Sequence, residues 1–299
     1  MNAICRTFLP LFAALSFAVH AQELPARVTI ISDAFGKPST LERTWGYSAL
    51  VEYGGKRILF DTGGQYKAFV NNVKALNIDL KRLDFVVLSH RHGDHTAGLA
   101  YVLQQNPTVK VFAPAEPGSF ANPAGGPIAQ AARRHVDGLP EGLRYFDGKT
   151  ADSYPVDAPW HDANIIRIDK PTEVAPGVFL FRTVSDEIGT MELNEVSMAI
   201  KTPKGLVVVV GCSHPGIERI LGVAATIDPS INIIVGGLHL VDKSDEVVMK
   251  IVGNFASKWK LDRVAAGHCT GGFAQTKIAE LFKERHDHPG LGEVIALPK

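Results

Sequence analysis

Charge in excess of either sign is missing from this chain: 31 lysine and arginine residues meet 31 aspartate and glutamate residues across 299 positions. That balance gives no support for nucleic acid or another polyanion as a partner. The small basic cluster Arg133-Arg134, beside His135, reads as a solvated face. Cysteine is nearly absent. Three of them, Cys5, Cys212 and Cys269, exclude a small scaffold stapled by many disulfides. The apolar stretch from Phe8 to Val19 is too short to span a bilayer comfortably.

That stretch fits a leader instead. "MNAICRTFLPLFAALSFAVHAQE" carries one early positive charge, Arg6, then the apolar run, then Val19-His20-Ala21, the small-x-small pattern that precedes signal-peptide cleavage. Cleavage after Ala21 is expected, leaving a mature chain, residues 22–299, that is periplasmic or secreted and keeps no stable membrane association. In an oxidising compartment the two remaining cysteines would pair by default. Their neighbours argue otherwise: Cys212 lies in "GCSHPG" and Cys269 in "GHCTGG", each within two residues of a histidine.

What the chain does have is globular composition, 45% hydrophobic, and enough length for a large core. Strand-like runs fall at Val28–Ile31, Arg57–Phe60, Asp84–Leu88, Val109–Phe112, Val178–Phe181, Leu206–Val210, Ile231–Val235 and Val264–Ala266. Helical periodicity fits Tyr66–Leu76, Thr96–Gln105, Gly216–Ala225, Asp245–Trp259 and Phe273–Arg285. Pro215 is expected in the first turn of its helix and Ser244 at the N-cap of the next. Strands alternating with helices predict an α/β protein whose helices cover sheets. The stretch from Pro114 to Pro176, rich in Pro, Gly, Asp and Ala, reads as a loop-rich insertion near the site, with Phe120, Tyr145, Trp160 and His161 as candidate substrate contacts. A weak internal echo links "GGKRILFDTGG" and "PKGLVVVVGCSHPG", which places Asp61 and Cys212 at equivalent strand ends of two related halves.

The chemistry concentrates in "LSHRHGDHTAG". Of eleven histidines in the chain, His90, His92 and His95 fall here within six positions, together with Asp94, directly after an apolar strand. His90 and His92, one residue apart on extended backbone, project to the same side and can converge on one cation. Gly93 is expected to relax the backbone for a sharp turn, and Asp94 and His95, at the start of a helix, aim at a neighbouring point. One structural zinc needs only four ligands in a closed shell. Four donors are already present here and more histidines follow at later strand ends, which favours two metals and an open site.

"HRHGDH", preceded by "FDTGG" and followed by strand-end histidines, resembles the metallo-β-lactamase superfamily. The resemblance implies an αββα sandwich, four layers with two sheets between helices. It implies His90 and His92 on a first metal, Asp94, His95 and His268 on a second, and Asp61 orienting the ligands by hydrogen bonds. Two family features are missing: a histidine in a Gly-His-Thr-Pro-Gly turn, and an aspartate that bridges the metals after the strand Leu206–Val210. "VVGCSHPG" answers both, with Cys212 at the bridging position and His214 supplying the imidazole. The two share a face if the backbone stays extended. "GCSHPG", "GGLHL" and "GHCTGG" together are similar to the subfamily labelled dihydropterin–ribofuranosylaminobenzene-phosphate synthase. His239, in "GGLHL", is expected to touch substrate or a developing oxyanion. His286 and His288 read as a solvated helix end.

The expected function is hydrolysis of an ester, phosphodiester, lactone or amide in a small molecule. Two divalent metals lower the pKa of a shared water, which then attacks as hydroxide, while Asp94 orients it and accepts its proton. Zinc suits imidazole and thiolate donors; iron or manganese would suit a centre that leaves Cys212 out. Group transfer onto a phosphorylated, pterin-like substrate is the alternative, and a metal-binding scaffold without turnover a third. No flavin-domain sequence accompanies the motifs, which argues against an oxygen- or nitric-oxide-reducing di-iron centre.

Overall fold

Residues alternate between two apolar surfaces along almost every strand, and that alternation builds the molecule. A computed structural model describes residues 24–115, 140, 163–187, 189–190 and 192–299. The leader and the named insertion residues, Phe120, Arg133, Arg134, His135, Tyr145, Trp160 and His161, lie outside these.

One seven-stranded sheet runs in the order β14 (Val294–Ala296), β1 (Arg27–Ser32), β2 (Ser48–Tyr53), β3 (Lys56–Phe60), β4 (Phe85–Val87), β5 (Lys110–Pro114), β6 (Asn164–Ile168). The other runs β13 (His286–Asp287), β12 (Arg263–Gly267), β11 (Ile231–Gly237), β10 (Gly205–Val210), β9 (Asn194–Thr202), β8 (Val178–Val184), β7 (Thr172–Ala175). In β3, Ile58 and Phe60 enter the core between the sheets while Leu59 faces a helix layer; in β10, Val207 and Val209 face inward and Leu206, Val208 and Val210 outward. Period-two patterning thus gives these central strands two buried faces, while edge strands such as β7 and β14 stay partly exposed. Removing a fully buried ring such as Phe60 would cost on the order of 3–5 kcal/mol.

The outer faces are covered by amphipathic helices. Phe69 and Val73 of α1 (Tyr66–Ala75) and Leu99 and Val102 of α3 (Leu99–Gln105) pack on the first sheet. On the second, Ile220 and Leu221 of α4 (Ile217–Ala224), Val252 and Phe255 of α5 (Asp245–Ser257) and Ile278 and Phe282 of α6 (Gly272–Phe282) do the same. The result is the four-layer αββα arrangement. Ser244 caps α5, accepting from the Val247 N–H at 3.4 Å. Among the described residues no helix is long and apolar enough to cross a membrane.

Both halves use one topology. β1, β2 and β3 pair antiparallel, then β3 to β6 pair parallel; β8, β9 and β10 pair antiparallel, then β10 to β13 pair parallel. The echo between the segments around Asp61 and Cys212 is the trace of this repeat, since β3 and β10 hold corresponding places.

Several expectations need correction. The helix expected over Thr96–Gln105 is two pieces, α2 (Gly93–Thr96) and α3, separated at Gly98, where a Cβ would sit 2.4 Å from the Phe69 ring. Pro215 lies in a turn before α4, because Gly216, with φ 87°, starts that helix. His286 belongs to β13, not to a helix end, and its Nε2 lies 3.1 Å from Gln275 Oε1. The loop-rich stretch ends in two strands, β6 and β7, which extend one sheet edge each.

Candidate metal centre

Strand ends of both sheets meet at one rim. From the first sheet, β4 leads into Ser89 and His90, both fully buried. His92 is the N-cap of α2, and the short helix turns Asp94 and His95 toward the second sheet. Gly93 is itself the first helical residue, with open space around it, so this turn uses no special glycine conformation. His90 Nε2 lies 3.1 Å from His92 Nδ1, as expected of imidazoles converging on one point.

The second sheet supplies Cys212 and His214 after β10, His239 after β11, and His268 and Cys269 after β12. Cys212 stands at the junction: its sulfur is 3.1 Å from His95 Nε2. Three donor groups include it, among them Asp94–His95–Cys212–His268 and His90–Cys212–His214, each with donor atoms within 4.8 Å of one another. His92 flanks the second group, its ring 4.7 Å from those of His90 and His214. Asp94 Oδ2 sits 3.6 Å from His95 Nε2 and 3.5 Å from His268 Nε2. The His239 and His214 rings are tilted at 55° with centres 4.2 Å apart. Every residue expected from the sequence at this centre is therefore at this rim. Cys212 and His214 meet it by another route than extended backbone, because Ser213 between them has φ 66°.

Three buried carboxylates hold the donors in place. Asp61 accepts from the Ser89 N–H and Oγ, each at 2.7 Å, and its Oδ2 lies 2.7 Å from His95 Nδ1. Ser89 Oγ in turn lies 2.9 Å from His90 Nδ1. The Nδ1 atoms of His90 and His95 are thus engaged and their Nε2 atoms are left for the centre, the arrangement that fixes a ligand's tautomer and aim. Glu195, on β9, does for the backbone what Asp61 does for side chains: it accepts from the N–H groups of Cys212 (3.0 Å), Ser213 (2.8 Å) and His214 (2.8 Å). Asp33, after β1, accepts from the His268 N–H at 3.0 Å. Sequence reasoning missed Glu195 and Asp33. The available signal was a lone acid inside the apolar pattern of "LNEVSMAI" and another directly after β1 in "VTIISD".

The backbone is strained where these loops turn. Asp61, Ser213, His239 and His268 all have positive φ, 56°, 66°, 47° and 49°. Non-glycine residues in this region cost on the order of 1 kcal/mol or more each, a cost that surrounding contacts must offset. Gly211 is required by close approach: a Cβ there would lie 2.2 Å from Ser89 Oγ.

The donors differ in protonation: His90 and His214 are ready to bind a cation, whereas His95 and Cys212 must give up a proton to do so. Burial, reinforced by neighbouring imidazoles, drives His90 well below its ordinary pKa and His214 down to about 3, so both are neutral donors. Burial opposes charge on His95, but the Asp61 carboxylate overrides it and raises the ring to about 9. Burial likewise opposes charge on Asp94, yet His268 and His95 hold its carboxyl well below the usual range. Burial pushes the Cys212 thiol far up, so a thiolate there needs a compensating cation. Both ring nitrogens of His214, and Nδ1 of His239 and of His268, are buried without a hydrogen-bond partner. Buried polar atoms are rarely left so. The donor set fits metal ions.

The family model described as the metallo-beta-lactamase superfamily matches residues 46–218. The chain belongs to that superfamily. It is 30% identical over 296 residues to the 7,8-dihydropterin-6-methyl-4-(beta-D-ribofuranosyl)-aminobenzene-5'-phosphate synthase of Methanocaldococcus jannaschii, covering 89% of this chain and 95% of that protein. Among solved structures it resembles a metal-dependent hydrolase of the beta-lactamase superfamily, with a TM-score of 0.66 and 24% identity over 93% of this chain and all of the other. It also resembles the metallo-beta-lactamase fold protein YhfI of Bacillus subtilis, with a TM-score of 0.57 and 16% identity over 91% of this chain and 99% of the other. These structural likenesses establish the superfamily's fold for this chain. They leave its reaction to the chemistry of the site.

Proposed function

We propose that this superfamily member is a metal-dependent hydrolase of a small molecule with an ester, phosphodiester, lactone or amide bond. The observation that carries this reading is the convergence of buried imidazoles on Cys212 and Asp94, with ring nitrogens that have no protein partner. His90, His92 and His214 would hold one divalent ion and Asp94, His95 and His268 the other, with Cys212 between them. Zinc is favoured by the imidazole and thiol donors. Bound there, the ions supply Lewis acidity and make water a nucleophile near neutral pH.

The chain's own residues supply orientation. Asp61 and Ser89 fix the rings of His95 and His90, and Glu195 fixes the backbone that carries Cys212 and His214. Asp94, with 23% of its side chain exposed, is the most open member of its group and can receive a proton from the attacking water on Oδ2. His239, a quarter exposed, faces the rim, where it can hydrogen-bond an oxygen that gains negative charge. Cleavage after Ala21 would place this enzyme in the periplasm or outside the cell.

Group transfer is the second reading, favoured by the Methanocaldococcus jannaschii relative, which is named as a synthase. An exposed indole, Trp45, lies 5.2 Å from the His268 ring and offers a flat face to an aromatic substrate. Metal analysis followed by paired assays separates the readings. Two ions per chain with hydrolysis of chromogenic phosphodiesters, lactones or esters supports the first. Condensation of a pterin with a phosphorylated ribosyl aryl amine, without hydrolysis of simple esters, would replace it with the second. A metal stoichiometry of zero would overturn both.

A further inference from the structure

Cys269 plays no part in the proposed dinuclear set, yet it is turned toward it. Its thiol is buried and free, and Sγ lies 3.5 Å from the Cys212 carbonyl oxygen. With Cys212 and His239 it forms a third cluster whose three donor atoms lie within 4.8 Å of one another. His239 Nδ1 is buried with no hydrogen-bond partner, and the ring is held there by a left-handed backbone at φ 47°. Gly237 keeps the cluster open on one side, since a Cβ at that position would lie 2.8 Å from Cys269 Sγ.

We propose that Cys212, His239 and Cys269 form a further cation position, adjoining the dinuclear set and selective for a thiophilic ion such as Zn²⁺ or Cd²⁺. Two sulfurs and one imidazole are a soft donor set, which favours such ions over Mn²⁺ or Mg²⁺, whose preferred donors are carboxylates, carbonyls and water. Cys212 belongs to all three clusters, so a soft ion seated here competes for the thiolate that the other two share. The centre would then have two modes, one in which Cys212 serves the dinuclear set and one in which a thiophilic ion captures it. This inference rests on the metal-centre reading through the shared Cys212, and its test separates the two.

The test uses the metal-free full chain and Cd²⁺, read by the ultraviolet thiolate-to-cadmium charge-transfer absorbance, with no assay of turnover. The first equivalent should give wild type the intensity of two thiolates per ion, and Cys269→Ser half of it. Mn²⁺ binding should be the same in both, which shows that the variant is folded. Wild-type intensity retained in Cys269→Ser overturns the proposal, as does a Cys212–Cys269 disulfide in the native protein. Should the variant not fold, ¹¹³Cd resonances of wild type decide: a two-thiolate resonance supports the proposal and one-thiolate resonances alone overturn it. A chain that binds two Mn²⁺ but shows one-thiolate cadmium loses only this position. A chain that binds neither ion loses the dinuclear centre as well.

Discussion

The two halves share a strand topology but deliver their donors differently. The first half brings His90, His92, Asp94 and His95 to the rim from one six-residue segment after a single strand. The second half brings Cys212, His214, His239, His268 and Cys269 from three successive strand ends, spread over more than fifty positions of sequence. A compact segment needs support for its side chains, and Asp61 with Ser89 provides it. The dispersed set has its loops anchored one by one: Glu195 accepts N–H groups of the Cys212–His214 loop and Asp33 that of His268. The same site can thus be assembled by local spacing or by tertiary clamping.

The largest test of that comparison pairs one donor from each half. His90→Ala and His214→Ala should each weaken metal binding by more than about 100-fold, beyond the range for loss of an outer hydrogen-bond partner. Metal content after dialysis, measured by elemental analysis, checks it. A His214→Ala protein that keeps its full complement would show that His214 is not needed for that ion, and His239, from the same half, would be the next donor to examine.

A middle-sized effect separates the two ways of clamping. Asp61→Asn and Glu195→Gln should each lower metal affinity by about 10- to 100-fold. Asp61→Asn acts on His95 directly, whereas Glu195→Gln loosens the Cys212–His214 loop. Amide exchange at Ser213 and His214 should accelerate in Glu195→Gln and stay unchanged in Asp61→Asn. Equal acceleration in both variants would show that the halves are clamped as one unit.

The smallest effect lies at the opposite end of the first sheet, where Asp84 accepts from Lys56 Nζ at 2.8 Å and from the Arg57 N–H at 2.9 Å. Partial burial acts against its charge, and these partners override that and lower its pKa. A lowered folded pKa means stability present above the unfolded carboxylate value and lost as pH falls through the folded one. Asp84→Asn should cost less than about 1 kcal/mol at neutral pH, given the exposure of the pair. The difference from wild type in denaturant midpoint should vanish in acid. A pH-independent difference would assign the cost to the hydrogen bonds alone.

Legibility followed the same division. Strands dominated by apolar runs, such as β10 and β11, were readable from sequence, as was every helix with a clear apolar face. β9 was not, because Asn194, Glu195 and Ser197 interrupt its run, and these polar residues are buried for reasons that lie on neighbouring loops. β6, β7, β13 and β14 are short edge strands whose pairing depends on the sheet they extend. His239 was legible as a rim residue, whereas the nearness of Cys269 to it was not.

What the sequence determined by itself is local and periodic: the two-residue alternation that makes double-faced strands, the helical stripes that cover them, and the spacing that gathers His90, His92, Asp94 and His95. Tertiary structure alone decided that Cys212 sits among all three donor clusters and that Asp33 and Glu195 are anchors beside Asp61. The physical reason is range. Periodicity and spacing act within a few residues of backbone, whereas a buried carboxylate must find donors on whichever strand the packed sheets bring beside it.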